Sequence, residues 1–174
     1  MNRRTWFKRL VASGRRLSMA DRYYERGLYH YTKDKSDLAL ADLDAAIEHH
    51  PQRAEYYIAR GMILLQNGSP DEAEENFAYG LNLDPAQWLA HYGRGMRAFR
   101  ENEYDQAINL FSRAQHIAPD RAEIYFYRAV ALYQAGQSDQ AQRDMEFVLQ
   151  LWPRTDKRRT LADQWLTLFK KAGN

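Results

Sequence analysis

The chain contains no cysteine, which excludes disulfides, thiolate metal sites and cysteine nucleophiles together and accords with a reducing compartment. It has no run of 18 uncharged apolar residues, and its mean hydropathy is −0.74, so no spanning helix is expected. Nine glycines and five prolines among 174 residues, with 45% apolar content, describe one domain of ordinary composition. Net charge is nearly absent at +2, but that balance conceals a division. Residues 1–19 carry six basic side chains and no acid, and residues 154–174 carry six against Asp156 and Asp163. The body between them has 13 basic and 21 acidic residues. An acidic body with two basic ends is the electrostatic description.

What the chain does have is a period. Pro51, Pro85, Pro119 and Pro153 are each 34 residues apart, as are Ala39, Ala73, Ala107 and Ala141. A small column (Gly27, Gly61, Gly95, Ala129), a large apolar column (Leu43, Phe77, Phe111, Met145) and a further small one (Ala46, Gly80, Ala114, Val148) keep the same register. Five columns in step without a gap define four repeats, 20–53, 54–87, 88–121 and 122–155. Within a repeat, Tyr57, Gly61 and Leu64 fall at i, i+4 and i+7, and Ala73, Phe77 and Gly80 repeat that spacing after Asn67-Gly68-Ser69-Pro70. Each repeat therefore reads as a helical hairpin, with the proline ending its second helix.

These residues resemble the tetratricopeptide repeat, a 34-residue helix–turn–helix unit with small residues at its helix crossings and a terminal proline. The resemblance covers 20–155 and implies an all-α, right-handed α-solenoid of helix-turn-helix hairpins with terminal capping helices. Two columns depart from the family. Arg26, Arg60, Arg94 and Arg128 replace the usual aliphatic residue before the glycine, and His30 and Ala98 stand where a large residue is usual. Sixteen residues after each arginine come Asp42, Asn76, Leu110 and Asp144, so three of the four hairpins can form a charge-assisted staple.

The flanks close the ends. In 156–174, Leu161, Trp165, Leu168 and Phe169 recur on one helical side with Lys170 and Lys171 following, resembling the family's extra capping helix. Residues 1–19 form a basic amphipathic pattern: Trp6, Phe7, Leu10, Val11 and Leu17 gather on one side and Arg4, Lys8, Arg9, Arg15 and Arg16 on the other, with Arg3 out of place and a break at Ser13-Gly14. Three roles stay open for it: a cap on repeat one, an arm docking on another protein or a second copy, and a contact with anionic lipid or nucleic acid. Arg9, Arg15 and Arg16 interrupt the apolar stretch that a twin-arginine export signal needs, so a cytoplasmic location is expected.

Chemistry is sparse. His30, His49, His50, His91 and His116 make no metal-ligand spacing, and the serines include no Gly-x-Ser-x-Gly elbow. No enzyme, metal, cofactor or small-molecule substrate is expected. The family resemblance instead implies a non-catalytic interaction scaffold whose concave groove is lined by the first helices. The lining columns are Tyr24, Ile58, Tyr92 and Phe126; Leu28, Met62, Met96 and Val130; and Tyr31, Leu65, Phe99 and Tyr133. All twelve are apolar or aromatic, without the lysine, arginine and asparagine of family members that clamp acidic chaperone tails. Asp21, Glu55 and Glu123 give the groove an acidic edge. The expected partner is a protein or peptide presenting an apolar or basic amphipathic segment, with self-association through the N-terminal arm as one form of it. The alternatives are a peripheral membrane or nucleic-acid binder using the basic N-terminus, and a secretion-type chaperone.

Overall fold

The 34-residue period sets where each helix starts and stops. The computed structural model describes residues 17–172, and among these every regular element is a helix. Four hairpins follow one another: α1 (Met19–Tyr31) with α2 (Ser36–His49), α3 (Ala54–Asn67) with α4 (Pro70–Leu83), α5 (Trp88–Arg100) with α6 (Tyr104–Ile117), and α7 (Ala122–Gln134) with α8 (Ser138–Leu151). A last helix, α9 (Arg159–Ala172), ends the described chain. Each proline of the 34-residue column sits two residues past the end of a second helix, where its missing N–H and fixed φ prevent another turn.

The turns inside the hairpins share one backbone device. Asp34, Gly68, Asn102 and Gly136 all have positive φ, at 57°, 90°, 62° and 79°, and they too are 34 residues apart. The next residue in each turn donates its N–H five residues back, Lys35 to His30, Ser69 to Leu64, Glu103 to Ala98 and Gln137 to Leu132, at 2.8–3.1 Å. This is the Schellman closure, which satisfies an orphan carbonyl at the helix end. It needs a residue that tolerates the left-handed region, and glycine, asparagine and aspartate are the ones that do so at lowest cost.

Inside each hairpin the helices approach at the small column. A Cβ built on Gly61 would lie 2.8 Å from the Phe77 ring, and one on Gly95 would lie 2.7 Å from the Phe111 ring. Phe77 and Phe111 are both fully buried. In the last hairpin the small residue is Ala129, and the facing residue is the unbranched, deformable Met145. The two columns therefore vary together, a larger neighbour being offset by a more adaptable one.

The arginine column forms the expected staples. Arg26 Nε donates to Asp42 Oδ2 at 2.9 Å, Arg60 Nε to Asn76 Oδ1 at 2.7 Å, and Arg128 grips Asp144 through Nε and Nη2 at 2.7 and 2.8 Å. Arg60 and Arg128 also reach sixteen residues backwards, to Asp44 and to the Ser112 hydroxyl at 3.1 Å. Each of those two guanidinium groups thus ties its hairpin shut and ties it to the preceding one. Arg94 forms no such pair with Leu110, which is apolar and buried in the α6 packing.

The chain divides into two units, one ending at Pro85 and one beginning at Ala86. In the first, α3 packs on the preceding hairpin: Tyr56 lies against Ala20 and Ala46, and Ala59 and Ile63 lie against Ala39 and Leu43. In the second, Ile124 and Ala131 of α7 do the same against Ala107, Phe111 and Ala114 of α6. There α9 adds Ala162 and Phe169 to the core formed by Ala129, Met145, Val148 and Trp152. The face of α9 that packs is thus Ala162, Trp165, Leu166 and Phe169, while Leu161 and Leu168 are 49% and 42% exposed. The sequence stripe was half right, because α9 turns Ala162 rather than Leu161 into the close contact. The basic stretch ahead of it serves the joint: Arg159 donates to the carbonyls of Leu149 and Trp152 at the end of α8, and Arg158 pairs with Asp156 at 2.7 Å while lying 4.5 Å from the Trp152 ring centre. The Arg158 side chain and backbone N–H bonds hold the Asp156 carboxyl down at about 2.

Gly95→Ala is expected to destabilise the chain by about 1–3 kcal/mol, because the added methyl meets the Phe111 ring. Gly95→Ala/Phe111→Met, which reproduces the Ala129–Met145 pairing, is expected to melt above the value that adding the two single effects gives. Strict additivity in denaturant titrations would contradict the coupling of the two columns.

Candidate functional site

The twelve residues of the three columns proposed from sequence lie on the first helices, and the structure sorts them into two sets. Ile58, Leu65, Phe126 and Val130 are buried, between 1% and 8% exposed. Ile58 is held where α3 meets α4, its Cγ1 2.7 Å from where a Cβ on Gly80 would be. Phe126 and Val130 belong to the core with Ala141, Met145, Val148 and Trp152. The other eight, Tyr24, Leu28, Tyr31, Met62, Tyr92, Met96, Phe99 and Tyr133, are half-buried.

In the first unit, Tyr24, Leu28 and Tyr31 of α1 pack against the cluster of Ala39 and Leu43 of α2 with Ala59 and Ile63 of α3. The Tyr24 ring lies 5.0 Å from that of Tyr56, and burial pushes its hydroxyl up to about 12, so it stays a neutral donor. Tyr31 donates to the side-chain oxygen of Gln66, which places Gln66 on the same face. In the second unit, Tyr92 has its ring 5.7 Å from Phe111 and 5.9 Å from Tyr127, and burial raises its hydroxyl far above the usual value. Tyr133 lies 4.9 Å from Phe169 and 6.3 Å from Trp165, so α9 supports the last column.

The acidic edge is less negative than the sequence implied. Asp21 Oδ1 accepts the Tyr56 hydroxyl at 2.8 Å and lies 3.7 Å from Arg53 Nη2, and Arg53 Nε is 3.5 Å from Glu55 Oε2. One arginine thus serves both carboxylates. Burial alone would raise the Asp21 carboxyl, but bonds from Ser18 and Tyr56 and the charge of Arg53 outweigh it and hold Asp21 below its ordinary value. Two polar residues were missed, Gln66 and Arg100, both one place beyond the third column. The Tyr31–Gln66 bond and the influence of the Arg100 charge on Tyr92 put them near this face. Their 34-residue spacing was the available signal.

Models of the family described as "Tetratricopeptide repeat" match residues 24–87 and 98–144, together more than half of the sequence. The chain belongs to the tetratricopeptide repeat family. Its fold class is accordingly the all-α hairpin solenoid, and members of this family are protein-interaction scaffolds without general catalytic function. DnaJ homolog subfamily C member 3 of Gallus gallus is 26% identical over 144 residues, covering 74% of this chain but only 28% of that protein, so this tetratricopeptide chain spans little more than a quarter of its relative. Among solved structures, that titled for the functional characterisation of Pseudomonas aeruginosa pilF superposes with a TM-score of 0.72 at 21% identity, covering 90% of this chain and 77% of that one. Crystalline MamA gives 0.62 at 20% identity over 84% and 94%. The first repeat domain of Spaghetti (RPAP3), bound to the HSP90 peptide SRMEEVD, gives 0.62 at 23% identity over 70% and 93%. These likenesses establish the fold. Among the described residues no helix is long and apolar enough to cross a membrane, and no three His, Asp or Glu side chains converge as a metal site.

The depressed Asp21 carboxyl contributes stability above the unfolded-state value of about 3.9, and that contribution disappears as pH falls through the lower native value. Asp21→Asn is therefore expected to melt below the wild type at neutral pH, with the gap closing on acidification. A gap that is constant with pH in calorimetric scans would contradict this.

Proposed function

We propose that this chain is a non-catalytic interaction module that holds an apolar or basic amphipathic segment of another protein against the first-helix faces of its hairpins. One observation carries the reading. Eight apolar or aromatic side chains, equivalent by the 34-residue period, stay half-buried on those faces, and seven of them pack against the buried clusters. Pre-fixed rings lose little rotamer entropy when a ligand arrives, and each large side chain that a partner buries is worth about 1.5–3 kcal/mol before association costs. Four of the eight are tyrosines, whose rings supply large, rigid contact area.

An acidic peptide such as the SRMEEVD bound to the RPAP3 domain fits this chain less well, because none of its twelve column residues is cationic or an asparagine. The paired state of Asp21 and Glu55 makes apolar burial the main attraction and leaves charge to bias orientation. No catalytic role is assigned. The buried polar side chains Asp42 and Asn76 and the half-buried Asp144 are all bound by arginine staples.

Met62→Glu and Met96→Glu, each a change at a half-buried edge, are expected to cut capture of the chain's partners from its own cell extract by at least about tenfold. Leu38→Glu, at a 50% exposed site on α2, serves as the control and is expected to leave capture unchanged. Equal loss in all three, or in none, at unchanged helicity would overturn the assignment of this face.

A further inference from the structure

Among the described residues, α1 has no preceding element to pack on, as α3 and α7 have. In the second repeat Tyr56, Ala59 and Ile63 form the face of α3 that packs back on the preceding hairpin, and they are 1%, 7% and 1% exposed. In the fourth repeat Ile124, Tyr127 and Ala131 do the same work. The equivalent residues of α1, at the same 34-residue register, are Arg22, Glu25 and Tyr29. Arg22 is exposed and Tyr29 is 48% exposed, and with Glu25 and Arg26 they line a hollow of about 350 Å³. Glu25 is the exception on this stripe. It is 8% exposed, its Oε1 is buried, and that oxygen accepts no hydrogen bond from the described residues. A carboxylate oxygen in that state is costly unless something completes it, and what completes it is a cation or a donor.

We propose that the chain's own residues 3–12 dock on this face of α1 as the missing preceding element, with Arg3 pairing to Glu25. The connection is short: the described chain begins at Leu17, directly before Ser18, the N-cap of α1. Ten residues in helical form span about 15 Å, which matches the run of α1 from Met19 to Tyr29, and Ser13-Gly14 supplies the reversal. Antiparallel pairing about that reversal sets Trp6, Phe7 and Leu10 along the hollow and brings Arg3 within one turn of Glu25. Arg3 is the basic residue that violates the amphipathic pattern of this segment, standing on the Trp6/Phe7/Leu10 side. A buried acid on one helix and a cation on the apolar side of the other are complementary defects, each of which the other resolves. Burial and the neighbouring Asp21 charge already raise the Glu25 carboxyl above its ordinary value, as an uncompensated acid would show. With its apolar side committed to α1, the segment presents Arg4, Lys8 and Arg9 outward and is not the occupant of the first-helix faces.

Limited chymotrypsin digestion of the full chain reads this directly, since cleavage after Trp6, Phe7 or Leu10 requires the docked side to open. Cleavage there is expected to be at least about tenfold faster in Glu25→Lys and in Arg3→Glu than in the wild type, and to return towards the wild-type rate in Arg3→Glu/Glu25→Lys. Wild-type cleavage as fast as in a synthetic 1–16 peptide would overturn the proposal, and so would a charge reversal that fails to rescue. Protection that fades on dilution, with light scattering showing a dimer, would also overturn it by assigning the segment to a second copy. None of these outcomes depends on what binds the first-helix faces.

Discussion

The structure depends on how closely two helices can approach within each hairpin. Gly27, Gly61, Gly95 and Ala129 remove almost all side chain at the crossing, and Leu43, Phe77, Phe111 and Met145 fill the space alongside. This contact fixes the hairpin, the hairpin fixes the rotation of its first helix, and that rotation decides which residues face the preceding hairpin and which keep an open edge. The left-handed residue of each turn and the proline after each second helix have the same period because they join copies of one crossing geometry. The arginine staples add polar specificity to it: Arg60 and Arg128 span three helices each, so they fix the register between neighbouring hairpins as well as within one.

Much of this was legible in the sequence because a repeat samples the same constraint four times. The small and large columns, the prolines and the arginine partners sixteen residues on could all be read without coordinates. The left-handed column is equally present, as Asp34, Gly68, Asn102 and Gly136, but it holds no single residue type. Its residues share a backbone property rather than a size or charge, and that property shows only in φ.

The candidate site was less legible, for a different reason. Periodicity assigns a residue to a face but not to a depth on that face. Tyr24 and Ile58 occupy the same column, yet Tyr24 is half-buried whereas Ile58 is fully buried where α3 meets α4, beside the bare backbone of Gly80. Likewise Phe126 is closed over by Trp152, 5.7 Å away between ring centres, through a residue outside any first helix. The edge charge failed as a guide because Arg53 belongs to the loop before α3 rather than to the columns, and one loop cation serves both Asp21 and Glu55. Where the period breaks, as in α9, composition placed Leu161 inward, and the small size of Ala162 decided otherwise.

Under the proposed function, the half-buried first-helix side chains are where this protein meets its partner. Site-specific photo-crosslinking tests it most directly, with benzoylphenylalanine placed at Met96 in one chain and at Leu38, on the exposed side of α2, in another. A partner adduct is expected from position 96 and not from position 38. An adduct from position 38 with none from position 96 would contradict it.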